Sequence, residues 1–232
     1  MKVALVTGAS KGIGAAVARG LAQDGYSLGL ISRNKNALES LAGELTKTYQ
    51  VDVTYSAVDV SDSVMVEKAI TDIHARFGRV DLLFNNAAIN IRGTLELTHA
   101  EFDEIMRVNV QGAFNVLKAV VPLMKQQREG YILNVASVAA KTGFSGSGAY
   151  CGTKFALLGL SESLFHELVP LGIKVTALCP SWVDTEMASY APFSGEQMIS
   201  PNDIVRTVRY LQALSPYACP KELVLECVSD YR

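Results

Sequence analysis

The sequence predicts an α/β fold, a doubly wound parallel sheet of seven strands with helices on both faces. Two observations carry that prediction. Short apolar or β-branched runs alternate with longer segments of helical period almost throughout the 232 residues. Strands laid parallel need crossover helices of that kind. The first run also passes directly into a glycine-rich turn and then a helix, the order in which a βαβ unit begins.

Taken in chain order, the strand candidates are 3–6, 27–31, 51–57, 80–84, 131–135, 174–178 and 222–228. A helix from about residue 15 to 23 follows the glycine turn. Leu38, Leu41, Ala42 and Leu45 then recur at i, i+3, i+4 and i+7, one apolar face of an amphipathic helix. Residues 62–77 and 203–214 read the same way, and longer helical stretches cover 98–125 and 147–169. No internal repeat, low-complexity tract or polar linker divides the chain, so one domain over residues 1–232 is expected. Its longest irregular stretch runs through Pro180, Pro192, Gly195 and Pro201. Loops of that length in a compact body usually serve function, so the segment near 183–201 is the candidate substrate lid.

The composition narrows the activity. Hydrophobic residues make up 49% and charged residues 19%, enough for a sizeable core. A formal net charge of −2 leaves no basic field for nucleic acid or an anionic membrane surface, so a small-molecule partner is expected. No apolar run reaches the roughly 18 residues of a membrane span. The opening residues lack a leader's basic and apolar regions, and the expected location is cytoplasmic. Cys151, Cys179, Cys219 and Cys227 are scattered, and His74, His99 and His166 have no partner at metal-ligand spacing, so no metal is assigned.

The first turn reads Thr7-Gly8-Ala9-Ser10-Lys11-Gly12-Ile13-Gly14. Glycines at these positions let backbone approach a pyrophosphate, and the following helix offers free N–H groups with a positive dipole end. The pattern marks a Rossmann-like dinucleotide site. Where NAD-binding folds often place a carboxylate for the adenosine ribose, the second strand ends in Ile31-Ser32-Arg33-Asn34. Without that negative charge, Arg33 can bind a 2′-phosphate through its guanidinium fork, with Lys11 as a second cation. NADP(H) is therefore the expected cofactor, against the plainer reading of Arg33 as a solvated surface residue.

Tyr150 and Lys154 stand four residues apart, which stacks them on one helix face. An ammonium there favours phenolate and lowers a tyrosine pKa from about 10 towards the useful range. Ser137, at the end of a strand, can orient a substrate oxygen. Taken alone, Tyr150 would read as a half-buried aromatic with a polar tip.

With Asp59-Val60, Asn85-Asn86-Ala87 and Asn109 added to these motifs, nearly the whole chain resembles the short-chain dehydrogenase/reductase family. The resemblance implies a catalytic tetrad of Asn109, Ser137, Tyr150 and Lys154, with Asn109 helping to hold a water relay. It implies cofactor contacts from Asp59 and Val60 beside adenine, from Asn86, Ala87 and Ala88, and from Pro180, Val183 and Thr185 near the nicotinamide. Lys154 would also bind the nicotinamide ribose. The implied reaction moves a hydride between NADP(H) and a carbonyl or secondary alcohol, by a carbonyl reductase or alcohol dehydrogenase. A homo-oligomer, dimer or tetramer, would pair through the helices around 98–125 and 147–169. The alternative is a catalytically silent NADP(H)-binding sensor or scaffold, against which the intact Ser137, Tyr150 and Lys154 weigh.

Two positions depart from the family pattern. Ala88 and Ser181 stand where glycine is usual, the first adding a methyl group beside the cofactor or substrate. Trp182, next to Ser181, either shapes the substrate pocket or packs beneath the lid.

Overall fold

A computed structural model of the chain describes residues 1–231. Arg232, included in the expected 1–232 domain, lies outside the described residues. Seven strands form one parallel sheet: β1 (Val3–Thr7), β2 (Ser27–Ser32), β3 (Val53–Ala57), β4 (Leu82–Asn85), β5 (Gly130–Val135), β6 (Ile173–Pro180) and β7 (Glu222–Leu225). Their spatial order is β3-β2-β1-β4-β5-β6-β7. The doubly wound expectation therefore holds, with winding reversed between β1 and β4. Ligands of open α/β sheets bind at such a reversal, beyond the carboxyl ends of the strands.

Alternation along each strand sorts the core into two layers. On one side Ala4 and Val6 of β1, with Leu28 and Leu30 of β2, pack against α1 (Gly12–Gln23), α2 (Lys35–Tyr49) and, further along the chain, a helix at Pro201–Ala213. On the other, Leu5, Ile31, Leu83 and Ile132 meet α3 (Ser63–Phe77) and a helix at Ala113–Gln127. Strands covered on both faces are buried along their whole length, as β1, β2, β4 and β5 are. The apolar stripe read in the sequence, Leu38, Leu41, Ala42 and Leu45, is the buried face of α2.

The remaining helices differ from expectation in one informative way. The stretch expected as one helix over 98–125 is α4 (His99–Met106), a π-helical segment over Arg107–Gly112, and α5 (Ala113–Gln127). One extra residue per turn there is what lets Asn109 point at the loop after β4, as described below. The stretch at 147–169 is α6 (Gly148–Leu168), and α7 spans Pro201–Ala213. The last strand was expected to reach residue 228. It stops at Leu225, since the buried Cys227 turns away to donate its thiol to the Gln197 carbonyl at 3.3 Å. Among the described residues no helix is long and apolar enough to cross a membrane.

Candidate active site

A cleft of about 1290 Å³ opens at the carboxyl ends of the strands. Of the site residues expected from sequence, only Gly14 and Asn109 do not line it; all the others do.

At the nucleotide end, the wall is built from backbone. Gly8 has φ +64°, and a Cβ there would stand 2.7 Å from Asn86 Nδ2. That amide donates to the Thr7 carbonyl at 3.1 Å, while Thr7 Oγ1 accepts from the backbone N–H groups of Asn86 and Ala87 at 3.0 and 3.1 Å. The turn after β4 is thereby fixed against the glycine turn after β1. Gly14 serves the same packing from beneath, since a Cβ there would lie 2.8 Å from Asn86 Nδ2 and inside the shell of the Gly8 carbonyl oxygen. No side chain caps α1, so its first N–H groups, among them Gly12 and Ile13, are left for a ligand.

At the end of β2, Ser32 is buried and its Oγ has no hydrogen-bond partner among the described residues. An orphaned buried hydroxyl costs free energy unless a ligand completes it. Exposed Arg33 lines the cleft beside it. Asn34 is largely spent on structure: its Oδ1 accepts from Ala37 N at 3.1 Å and caps α2. Burial pushes the Asp59 carboxyl up, but hydrogen bonds from Ser61 and the charges of Arg107 and Arg33 outweigh it and hold the group below its ordinary value. The Asp59 carboxylate is thus fixed by Ser61 N at 2.9 Å and Ser61 Oγ at 2.7 Å. A glycine cradle that a Cβ would fill, an uncapped helix start and an unpartnered hydroxyl beside an arginine all fit a dinucleotide with an extra phosphate.

At the other end stand Ser137, Tyr150 and Lys154. Ser137 follows β5, where its Oγ accepts from Ala139 N at 3.1 Å and donates to the Pro180 carbonyl at 3.3 Å. Tyr150 and Lys154 lie one turn apart on α6, with Lys154 Nζ 5.6 Å from the phenol ring centroid. Lys154 is 3% exposed, and its ammonium donates to the Val135 carbonyl at 2.9 Å. Burial lowers Lys154 to about 8. Burial also pushes the Tyr150 phenol above its usual range, with the Ser137 hydroxyl pulling the other way. The net shift of the phenol is therefore upward where the sequence reading expected it downward, because desolvation outweighs every stabilising contact of the phenolate. Cys151 next to Tyr150 is a packed thiol, 4% exposed, accepting from Phe144 N.

Asn109 sits behind the cleft wall, 2% exposed. Its Oδ1 accepts from Ile89 N and its Nδ2 donates to the Ile89 carbonyl, each at 2.8 Å. The side chain of Asn109, the residue expected to help hold a water relay, clamps the loop after β4.

The rim is made by three segments far apart in sequence. The lid closes on itself through a short bridge between Val183 and Ile199. It meets the glycine turn in a Lys11–Glu186 ion pair of 2.7 Å. Trp182 packs edge-on to Tyr190 and Phe193, with centroids 5.2 and 6.1 Å away, and also lines the cleft, so both readings of that residue hold at once. Residues 226–231 complete the rim. Ser181, the departure from glycine, gives its N–H to the Leu225 carbonyl and its hydroxyl to Asp230 at 2.9 Å. Tyr190 of the expected lid lines the cleft, and so do Glu226, Asp230, Asn90 and Arg92, which were not expected there and which no local motif marks.

A family model described as short chain dehydrogenase matches residues 2–192. The chain belongs to the short chain dehydrogenase family. An uncharacterized oxidoreductase of Staphylococcus epidermidis is 34% identical over 213 residues, covering 90% of each chain. Among solved structures, the alcohol dehydrogenase of the archaeon Thermococcus sibiricus, complexed with 5-hydroxy-NADP, superposes with a TM-score of 0.92. It is 35% identical and covers 98% of this chain and 97% of its own. The betaketoacyl-[ACP] reductase (FabG) of Bacteroides thetaiotaomicron is 43% identical, with a TM-score of 0.87 over 100% of this chain and 99% of its own. An oxidoreductase family with these members accounts for a cleft that joins a nucleotide cradle to a tyrosine and a lysine.

Proposed function

We propose that this chain is an NADP(H)-dependent oxidoreductase acting on a carbonyl or secondary alcohol. The observation that carries the reading is the continuity of one cleft, from the unpartnered Ser32 hydroxyl and Arg33 at one end to Ser137 and Tyr150 at the other. The 5-hydroxy-NADP of the Thermococcus sibiricus relative supports the same cofactor class here.

In this reading the glycine turn and the start of α1 hold the pyrophosphate, Ser32 and Arg33 hold the 2′-phosphate, and Asp59 and Val60 flank adenine. Lys154, Val183 and Thr185 meet the nicotinamide end. When bound, the nicotinamide supplies or accepts the hydride. Tyr150 gives its phenolic proton to the substrate oxygen, and the Ser137 hydroxyl turns from the Pro180 carbonyl to polarise that oxygen. In oxidation Tyr150 takes the proton back. A phenol held above its usual range keeps its proton at neutral pH, the state that reduction requires. Reduction is therefore flat across neutral pH, and oxidation accelerates as pH rises and phenolate becomes accessible. Lys154, at about 8, is still charged at pH 7 and has protons to spare beyond the one given to Val135. Asn109, through Ile89, fixes the wall opposite.

The test pairs Tyr150→Phe with wild type. The chain's one tryptophan, Trp182, lines the cleft and reports cofactor binding by its fluorescence. The variant is expected to bind NADPH as wild type does while losing roughly 10²- to 10⁴-fold in carbonyl reduction. Near-wild-type kcat would overturn the assignment. NADPH binding without turnover of any carbonyl would instead favour a silent sensor. Half-exposed Phe114 on α5 and Phe155 on α6 support a homo-oligomer paired through those helices, which light scattering measures. The four free cysteines suit a reducing, cytoplasmic location.

A further inference from the structure

We infer that Asn90 is a specificity residue that selects carbonyl substrates bearing a hydroxyl group close to the carbonyl. This rests on the proposed function. Asn90 lines the same cleft as Tyr150 and Ser137, on the loop whose preceding residue is held by Asn109. Its Nδ2 lies 2.7 Å from the Tyr190 hydroxyl, and its Oδ1 is buried with no partner among the described residues. Tyr190, which positions the amide, is itself packed on two sides. The Trp182 ring lies 5.2 Å away edge-on, and the Arg92 guanidinium stacks 4.9 Å from its centroid.

A buried amide oxygen left without a donor costs free energy, and Asn90 lines the cleft, from which a ligand's donor can reach the amide. With the amide oxygen facing the ligand, a ketone oxygen cannot relieve it, since it only accepts. An alcohol both gives and takes a hydrogen bond, so it satisfies the amide whichever of its two ends faces the ligand. A methyl group in the same place would leave the oxygen unpaired, and sites built to bond a substrate hydroxyl discriminate strongly against analogues that lack it. The lid contact adds a second consequence. Tyr190 belongs to the lid, so the hydroxyl is recognised by an amide that the closed lid holds in place.

The experiment measures NADPH-dependent reduction of two matched pairs: hydroxyacetone with butanone, and 4-hydroxy-2-butanone with 2-pentanone. For each pair, the hydroxyl-to-methyl ratio of kcat/KM is compared between wild type and Asn90→Leu, which cancels intrinsic carbonyl reactivity. For at least one pair the ratio should fall by about tenfold or more in the variant. Tyr190→Phe, which removes only the hydroxyl that holds the amide, should lower the same ratio by a smaller factor. Ratios within about twofold of wild type in both variants, with turnover intact, would overturn the inference and leave the proposed function standing. Turnover of other carbonyls by wild type, with neither hydroxyketone reduced, would overturn the inference alone; turnover of no carbonyl at all would take the proposed function with it.

Discussion

The two ends of the cleft are made in different ways. The nucleotide end is built from backbone and buried side chains at the tips of β1, β2 and β4, cross-linked through Thr7 and Asn86. The substrate end is built from loops joined by exposed or partly exposed groups: Lys11 to Glu186, Asn90 to Tyr190, Ser181 to Asp230. The first construction cannot relax without disturbing the sheet. The second can be rearranged at little cost, and so one fold can keep its cofactor while its substrates change.

The sharpest way to break this contrast is at Gly14. Gly14→Val drives a Cβ into the Gly8 carbonyl and should cost on the order of 4 kcal/mol or prevent folding, read from urea unfolding. A loss below about 1 kcal/mol would mean that the cradle is as forgiving as the rim.

Lys154 tests whether the catalytic wall is held at the expense of stability. Its folded-state value is lowered to about 8 from an ordinary 10.5. Below about 8 the lysine is charged in both folded and unfolded chains, and the folded chain bears the full cost of desolvation. Above 10.5 it is neutral in both and the cost is gone. Lys154→Met should therefore stabilise the protein at pH 7 by up to about 3 kcal/mol, a gain that shrinks between pH 8 and 10.5, while abolishing turnover. Unfolding curves at pH 7 and pH 10 decide it; a variant less stable than wild type at pH 7 contradicts the burial argument.

Arg33→Ala should lower the NADPH-to-NADH ratio of kcat/KM by roughly tenfold, the worth of one charge-assisted contact. An unchanged ratio would return Arg33 to the solvated surface. The smallest effect belongs to the rim. Glu186→Gln breaks an ion pair whose side chains are 69% and 75% exposed, so stability should move by no more than about 0.5 kcal/mol. A change several times larger in thermal unfolding would show that the lid is a structural element after all.

The same contrast governs what could be read from the sequence. All seven strands were legible: the inner ones, buried on both faces, leave continuous apolar runs, the half-exposed edge strands β3 and β7 show as short β-branched or apolar runs, and the glycine turn was legible because each glycine answers a local steric demand. Lys154 and Tyr150 were placed correctly on one face by their spacing, yet the direction of the phenol's shift was not, since spacing says nothing about desolvation. The substrate end was hidden for a geometric reason. Asn90 and Tyr190 are 100 residues apart and Ser181 and Asp230 are 49 apart, in segments without period, so nothing local announces that they meet.

The π-helical segment at Arg107–Gly112 carries a consequence for anyone shortening or repairing the chain. Deleting a single residue there would turn α4 and α5 into one regular helix, with better backbone hydrogen bonding than the natural protein has. It would also rotate one half against the other by about 100°. Val116, Val120 and Met124 could then stay on the sheet only if α4 swung round, and Asn109 would lose the Ile89 backbone it holds in both directions. Helical perfection and an intact cleft wall exclude each other at this position, and the extra residue is the irregularity on which the wall depends.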